Sequence, residues 1–148
     1  MSKNKQSQKE TLDSMLAEFS NLKAYGDAIR QQIEIAGSYI TEMMLCKSTM
    51  EEINAREGTG EVMVHIGAGN YVKVQLLDVK TALMRIGAGV SAEKSITDAM
   101  SDLDAKIKNG QEQSVALQNQ YLKITQRLGQ LQGQVDKLYA QLEAAGQA

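Results

Sequence analysis

Apolar side chains return at alternating steps of three and four near both ends of the chain. The first seam reads Leu12, Met15, Phe19, Leu22, Gly26, Ile29, Ile33, Ala36, Ile40, Met43, Lys47 and Met50, and only Gly26 and Lys47 break it. The second reads Ile96, Met100, Leu103, Ile107, Gly110, Ser114, Leu117, Tyr121, Ile124, Leu128, Leu131, Val135, Leu138, Leu142 and Ala145, broken only at Gly110 and Ser114. A three-four repeat sustained over this many turns is the heptad signature of a coiled coil. At 1.5 Å per residue the stretch Ile96–Ala145 reaches about 75 Å, more than a small globule holds within itself. The chain has no proline, so nothing in either seam forces a helix to stop. Ser95 followed three residues later by Asp98 marks the start of the second helix as a capping box with Asp in the place of Glu. Asp102–Lys106 and Asp104–Lys108 read as acid-before-base pairs one turn apart on that helix.

Between the seams the period changes to two. Val62, Val64 and Ile66 alternate with Met63 and His65. Val72, Val74 and Leu76 alternate with Tyr71, Lys73 and Gln75, and Ala82, Met84 and Ile86 alternate with Leu83 and Arg85. Val90 and Ala92 give a short fourth run. These are strands with one apolar face. The tetrapeptide Ile-Gly-Ala-Gly falls between the first and second strands at Ile66–Gly69, and again between the third and fourth at Ile86–Gly89. Glycines 67, 69, 87 and 89 supply the positive φ that tight reversals need, so one hairpin is used twice, joined through Asp78–Lys80. The competing reading is a phosphate cradle. It fails on spacing: a G-x-G-x-x-G loop needs glycine where Val72 and Ala92 stand and must open into a helix, whereas residues 70–77 alternate as a strand.

The chain therefore divides into an N-terminal helix (residues 1–57), a double hairpin (58–94) and a C-terminal helix (95–148). The fold class is α+β: a long antiparallel two-helix coiled coil joined by two β-hairpins. Folding back sets residues near 50 opposite residues near 96 and brings both termini to one end. The helices cover their own seam, but the strands do not close. Four strands in one small sheet leave two edges with unpaired N–H and C=O groups. An apolar sheet face also needs cover. Other subunits are expected to complete a β-barrel platform through Val62, Val64, Ile66, Val72, Val74, Leu76, Met84, Ile86 and Val90.

Charge and composition narrow the chemistry. Sixteen basic against eighteen acidic residues give a net charge of −2, which favours neither nucleic acid nor an anionic membrane. The basic residues Lys3, Lys5 and Lys9 are read as a solvated end. No apolar run is long enough to span a bilayer, and the N-terminus lacks the apolar core of a secretory signal. The single cysteine, Cys46, suits a reducing cytoplasm. With one histidine, His65, and one cysteine, no zinc site is expected. His65 lies on a strand without a ligand or acid at useful spacing, Cys46 beside the seam near only Lys47, so no catalysis and no cofactor are expected. The glutamine-rich tail is read as a solvated helix face. What remains is apolar surface at the helix ends: Leu12, Met15, Leu16 and Phe19 against Val135, Leu138, Tyr139 and Leu142. Leu16 and Tyr139 lie beside the seam and should stay partly exposed. These residues zip the last turns of the coil, and they also offer flexible, unselective apolar surface to non-native chains.

Helix, two Ile-Gly-Ala-Gly hairpins and helix, with the match strongest around Val64–Val74 and Met84–Lys94, resembles the α-type subunits of the archaeal prefoldin family. The resemblance covers Leu12–Ala145. It implies an ATP-independent holdase built as an α2β4 hexamer with prefoldin β subunits, whose coiled-coil tips grip non-native proteins and pass them to a cytosolic group II chaperonin. Gly26, Gly110 and Ser114 are read as places where the seam permits bending. The alternative reading is a scaffold or filament subunit whose strands polymerise end to end.

Overall fold

A computed structural model describes residues 2–146, with side chains from Gln6 onward; the side chains of Lys3 and Lys5 lie outside the described residues. The element order is α1 (Ser2–Ala55), β1 (Gly60–Gly67), β2 (Asn70–Leu76), β3 (Thr81–Gly87), β4 (Val90–Ser95) and α2 (Ile96–Gly146). This is the α+β arrangement of two long helices and two antiparallel hairpins. The helices form because the seam works: every α1 seam residue from Leu12 to Met50 is buried or half-buried, and so is every α2 seam residue from Ile96 to Leu142. Ala145 alone is exposed, one residue from the end of α2.

The chain forms two compact units, one of residues Met1–Gly37 and Gln113–Ala148, the other of Ser38–Glu112. In the first, α1 and α2 run antiparallel. The guanidinium of Arg127 donates through Nε and Nη2 to Glu18 Oε1 at 2.9 and 2.8 Å, and the amide of Gln120 donates to the Tyr25 hydroxyl. Gly26 is a filled position: a Cβ there would lie 3.1 Å from Ile124 Cγ2. In the second unit Gly110 does the same, where a Cβ would come within 3.1 Å of Ile40 Cγ1. Neither glycine interrupts its helix. Each is a hole that accepts an isoleucine knob from across the seam, which replaces the expectation of bending with one of close approach.

Lys47, the other seam breaker, reaches across to Asp104 at 2.6 Å and along its own helix to Glu51 at 3.4 Å. The hydrogen bond with Asp104, helped by both nearby carboxylates and opposed by desolvation, holds its ammonium above the usual lysine range. Asp102 pairs with Lys94 of β4. The expected one-turn pairs Asp102–Lys106 and Asp104–Lys108 thus give way to partners from other elements, while the Lys106 ammonium donates to the Arg85 carbonyl at 3.4 Å.

The core of the second unit joins Met43 and Met50 of α1, Ile96, Ala99 and Leu103 of α2, and Met84 of β3. Val79 and Ala82 pack against it. Ala99 is fully buried although it stands outside the three-four seam. The junctions into this core are built tightly. At the end of α1 the Gly58 amide donates to the Ile53 carbonyl and the Glu57 amide to Asn54, a Schellman closure with Glu57 itself in the left-handed region at φ 54°. At the start of α2 the Asp98 amide donates to Ser95 Oγ at 3.1 Å, the expected cap.

The hairpins correct one expectation. β1 pairs only with β2 and β3 only with β4, giving two separate two-stranded sheets rather than one sheet of four. The linker explains the break. Asp78 turns through φ 51°, and the Val79 amide is engaged by the Gly58 carbonyl at 2.9 Å, which leads the chain out of β2 and away from its ladder. Both turns are two-residue loops with positive φ at Ala68 and Gly69, and at Ala88 and Gly89. The register slips by one residue at Gly67 and at Gly87. This is the geometry of a primed hairpin turn beside a bulge. The Asn70 side-chain amide closes the first turn onto the carbonyls of Gly67 and Ala68.

Candidate functional site

Two surfaces were expected to act, and each lies inside one unit. The first is the pair of hairpins. Val64, Ile66, Val72 and Val74 of hairpin β1–β2 are exposed, and Val62 and Leu76 are half-buried near its base. Ile86 and Val90 of hairpin β3–β4 are exposed, at 63% and 58%. Met84 differs. It is 8% exposed and belongs to the chain's own core, so little of it is left for a neighbour. The asymmetry has a simple cause: hairpin β3–β4 is laid on the helix pair by Ala82 and Met84, whereas none of the buried core comes from β1–β2.

The other hairpin face was not recognised from sequence. Met63, Tyr71 and Leu83 are exposed there, and Leu77, on the linker, is the most exposed large apolar residue at 86%. The signal was present, since Met63 and Leu83 are apolar at positions assigned to the polar phase. His65 stands opposite Tyr71 across the ladder, the rings meeting edge to face at 5.1 Å. Cys46 is exposed and lines an apolar groove of about 490 Å³ with Leu45, Ile53, Val79 and Ile96.

The second surface lies in the first unit, where the early turns of α1 meet the last turns of α2. Leu12 and Val135 are buried, Met15, Phe19, Leu138 and Leu142 are half-buried, and Leu16 and Tyr139 are exposed at 38% and 46%. Leu12, Tyr139 and Leu142 come together along a groove of about 490 Å³, whose remaining walls are Lys9, Asp13 and Glu143. Those three polar residues carry no apolar signal and were not foreseen. They follow from the helix itself: Asp13 stands four residues after Lys9, and Glu143 four after Tyr139, so each lies one turn from a groove residue on the same face. Among the described residues no three His, Cys, Asp or Glu side chains are grouped to hold a metal. No helix of the described residues is long and apolar enough to cross a membrane.

A helix pair that closes its own seam, bearing two hairpins that leave most of their apolar face open, defines a coiled-coil assembly subunit. The family profile described as prefoldin subunit matches residues 22–141, and the chain belongs to the prefoldin family, on the side of the archaeal α subunits. The chain is 34% identical over 100 residues to prefoldin subunit alpha of Thermococcus onnurineus, covering 67% of this chain and 68% of that one. It is 31% identical over 97 residues to prefoldin subunit alpha 1 of Thermococcus kodakarensis, covering 66% of each. These alignments span about two thirds of each relative's length. Among solved structures, a filamentous prefoldin from Methanocaldococcus jannaschii shares the fold with a TM-score of 0.54 at 16% identity, over 87% of this chain and 98% of that one. Membership makes the chain a chaperone subunit that assembles with other prefoldin subunits.

Proposed function

We propose that this subunit is an ATP-independent holdase: its hairpins join those of prefoldin β subunits in an α2β4 hexamer, and the ends of its helices capture non-native proteins in the cytosol for transfer to a group II chaperonin. The observation that carries the reading is the contrast between the surface of the hairpins and that of the helix ends. At the hairpins, Ile66, Ile86 and Val90 present apolar surface beside unpaired strand edges, a combination that demands a partner with strands of its own. At the helix ends Leu16 and Tyr139 stand exposed beside a groove floored by Leu12 and Leu142, a surface that imposes no sequence on what it touches. Each such grip is weak, and several arms in one particle raise it through effective concentration.

Deleting residues 1–19 and 132–148 together should spare assembly and abolish the suppression of aggregation. Light scattering from a chemically denatured test protein, diluted into buffer with the truncated or the intact assembly, checks this. Full protection by the truncated particle would defeat the reading.

A second reading is favoured by the four free strand edges, two on each hairpin. Edges that close a ring also propagate when the symmetry does not close, and the Methanocaldococcus jannaschii prefoldin that shares this fold is filamentous. Electron microscopy of the purified chain, alone and with a β subunit, separates closed particles from open fibres.

A further inference from the structure

The charges around the terminal groove are distributed unevenly. Just outside it, Glu18 is held by Arg127, and Asp136 accepts from the Gln132 side-chain amide at 2.9 Å. At its rim, Lys9, Asp13 and Glu143 are all exposed. None of the three is engaged in an ion pair with any other described residue. Two unengaged carboxylates and one ammonium thus surround a floor of Leu12, Leu142 and Tyr139.

Resting on the capture reading above, we infer that this groove selects among non-native segments, taking those in which a bulky apolar side chain is flanked by lysine or arginine. The apolar side chain fills the floor and gains by leaving water. The neighbouring cation then lies within reach of Asp13 or Glu143, while an acid in its place meets like charge and the repulsion that goes with it. Lys9 reduces the excess to one negative charge without cancelling it. Its ammonium is free to donate to a main-chain carbonyl, and an extended, unpaired segment offers many of these. The pairing is a solvent-exposed one, so its effect is a preference among clients rather than a requirement.

The test uses the full-length chain and three fluorescent peptides that share a central Phe-Leu pair and differ only in the flanking residues: arginine, glutamine or glutamate. Fluorescence anisotropy should rank their affinities in that order, with arginine over glutamate by about threefold or more at low salt. The ratio should contract at about 0.5 M salt, where the screening length is only a few ångströms. In the double variant Asp13→Asn with Glu143→Gln the ratio should approach one, and Glu143→Gln alone should move it part of the way. Equal affinity of the arginine and glutamate peptides for the unaltered chain overturns the inference. So does a ratio that survives in the double variant, because the preference then comes from other residues. If none of the three peptides binds, the glutamine one included, the capture reading itself fails and the selection falls with it.

Discussion

Single residues decide how the helices pass into the hairpins. Gly58 sits at φ 71°, and a Cβ there would lie 2.2 Å from the Val79 carbonyl oxygen and 2.5 Å from its nitrogen. Both neighbours are backbone, so no rotamer change relieves the clash. Gly58→Ala should lower the unfolding free energy by at least about 2 kcal/mol, combining left-handed strain with displacement of the linker. Gly129 gives the opposite sign. It lies inside α2 with nothing within 4 Å of an added Cβ, and Gly129→Ala should stabilise by about 0.5–1 kcal/mol, since alanine loses less chain freedom on entering a helix. Urea titration of the two variants beside the unaltered chain checks both signs. The need for glycine at 58 was hidden in the sequence. Glu57 takes the left-handed position that glycine usually holds at a helix end, and the tight neighbour, Val79, is distant along the chain. At the hairpin turns the glycines were legible, whereas the positive φ of Ala68 and Ala88 was not, because alanine carries no signal for it.

At the scale of the element, α1 and α2 were readable almost residue by residue, since each turn of a heptad seam repeats the same demand. Their charges were not. Lys47 breaks the apolar rhythm of α1, and only its contact with Asp104 across the seam shows why a lysine is tolerated there. Its pKa lies above the ordinary value of 10.5. The pair's contribution is therefore complete below pH 10.5 and is lost as the pH climbs through the higher, folded value. The stability gap between the unaltered chain and Asp104→Asn should be constant from about pH 7 to 10 and shrink above that. Thermal unfolding followed by circular dichroism across this range tests the expectation, and a gap that stays level into stronger alkali would contradict it. The strands were equally legible in phase and turn, but their grouping was not. Nothing in an alternating pattern says whether β2 and β3 pair, and here the tethered linker at Asp78 and Val79 separates them.

For the whole molecule, the two functions proposed above call on different residues and should be separable. Val64→Lys with Ile86→Lys places charge on both hairpins at exposed positions, away from the core that Met84 helps to build. These changes should leave helical content intact and abolish association with other subunits. Sedimentation velocity should then show the chain as a single small species, and circular dichroism should show its helices unchanged. Retention of the large particle would place the assembly contacts elsewhere. The complementary truncation at the helix ends should do the reverse, keeping the particle and losing protection of the test protein.

Periodicity alone was enough to give the two helices, the two hairpins and the reversal at each Ile-Gly-Ala-Gly. Such features are recorded locally and repeatedly, so each residue restates what its neighbours say. Choices among equivalent partners were settled only when the chain folded. Asp102 and Asp104 each had a lysine one turn away and took another instead, Met84 went inward while Ile86 stayed out, and Lys9, Asp13 and Glu143 met around one groove. Those outcomes depend on distances between residues far apart in the chain, and a linear pattern holds no record of them.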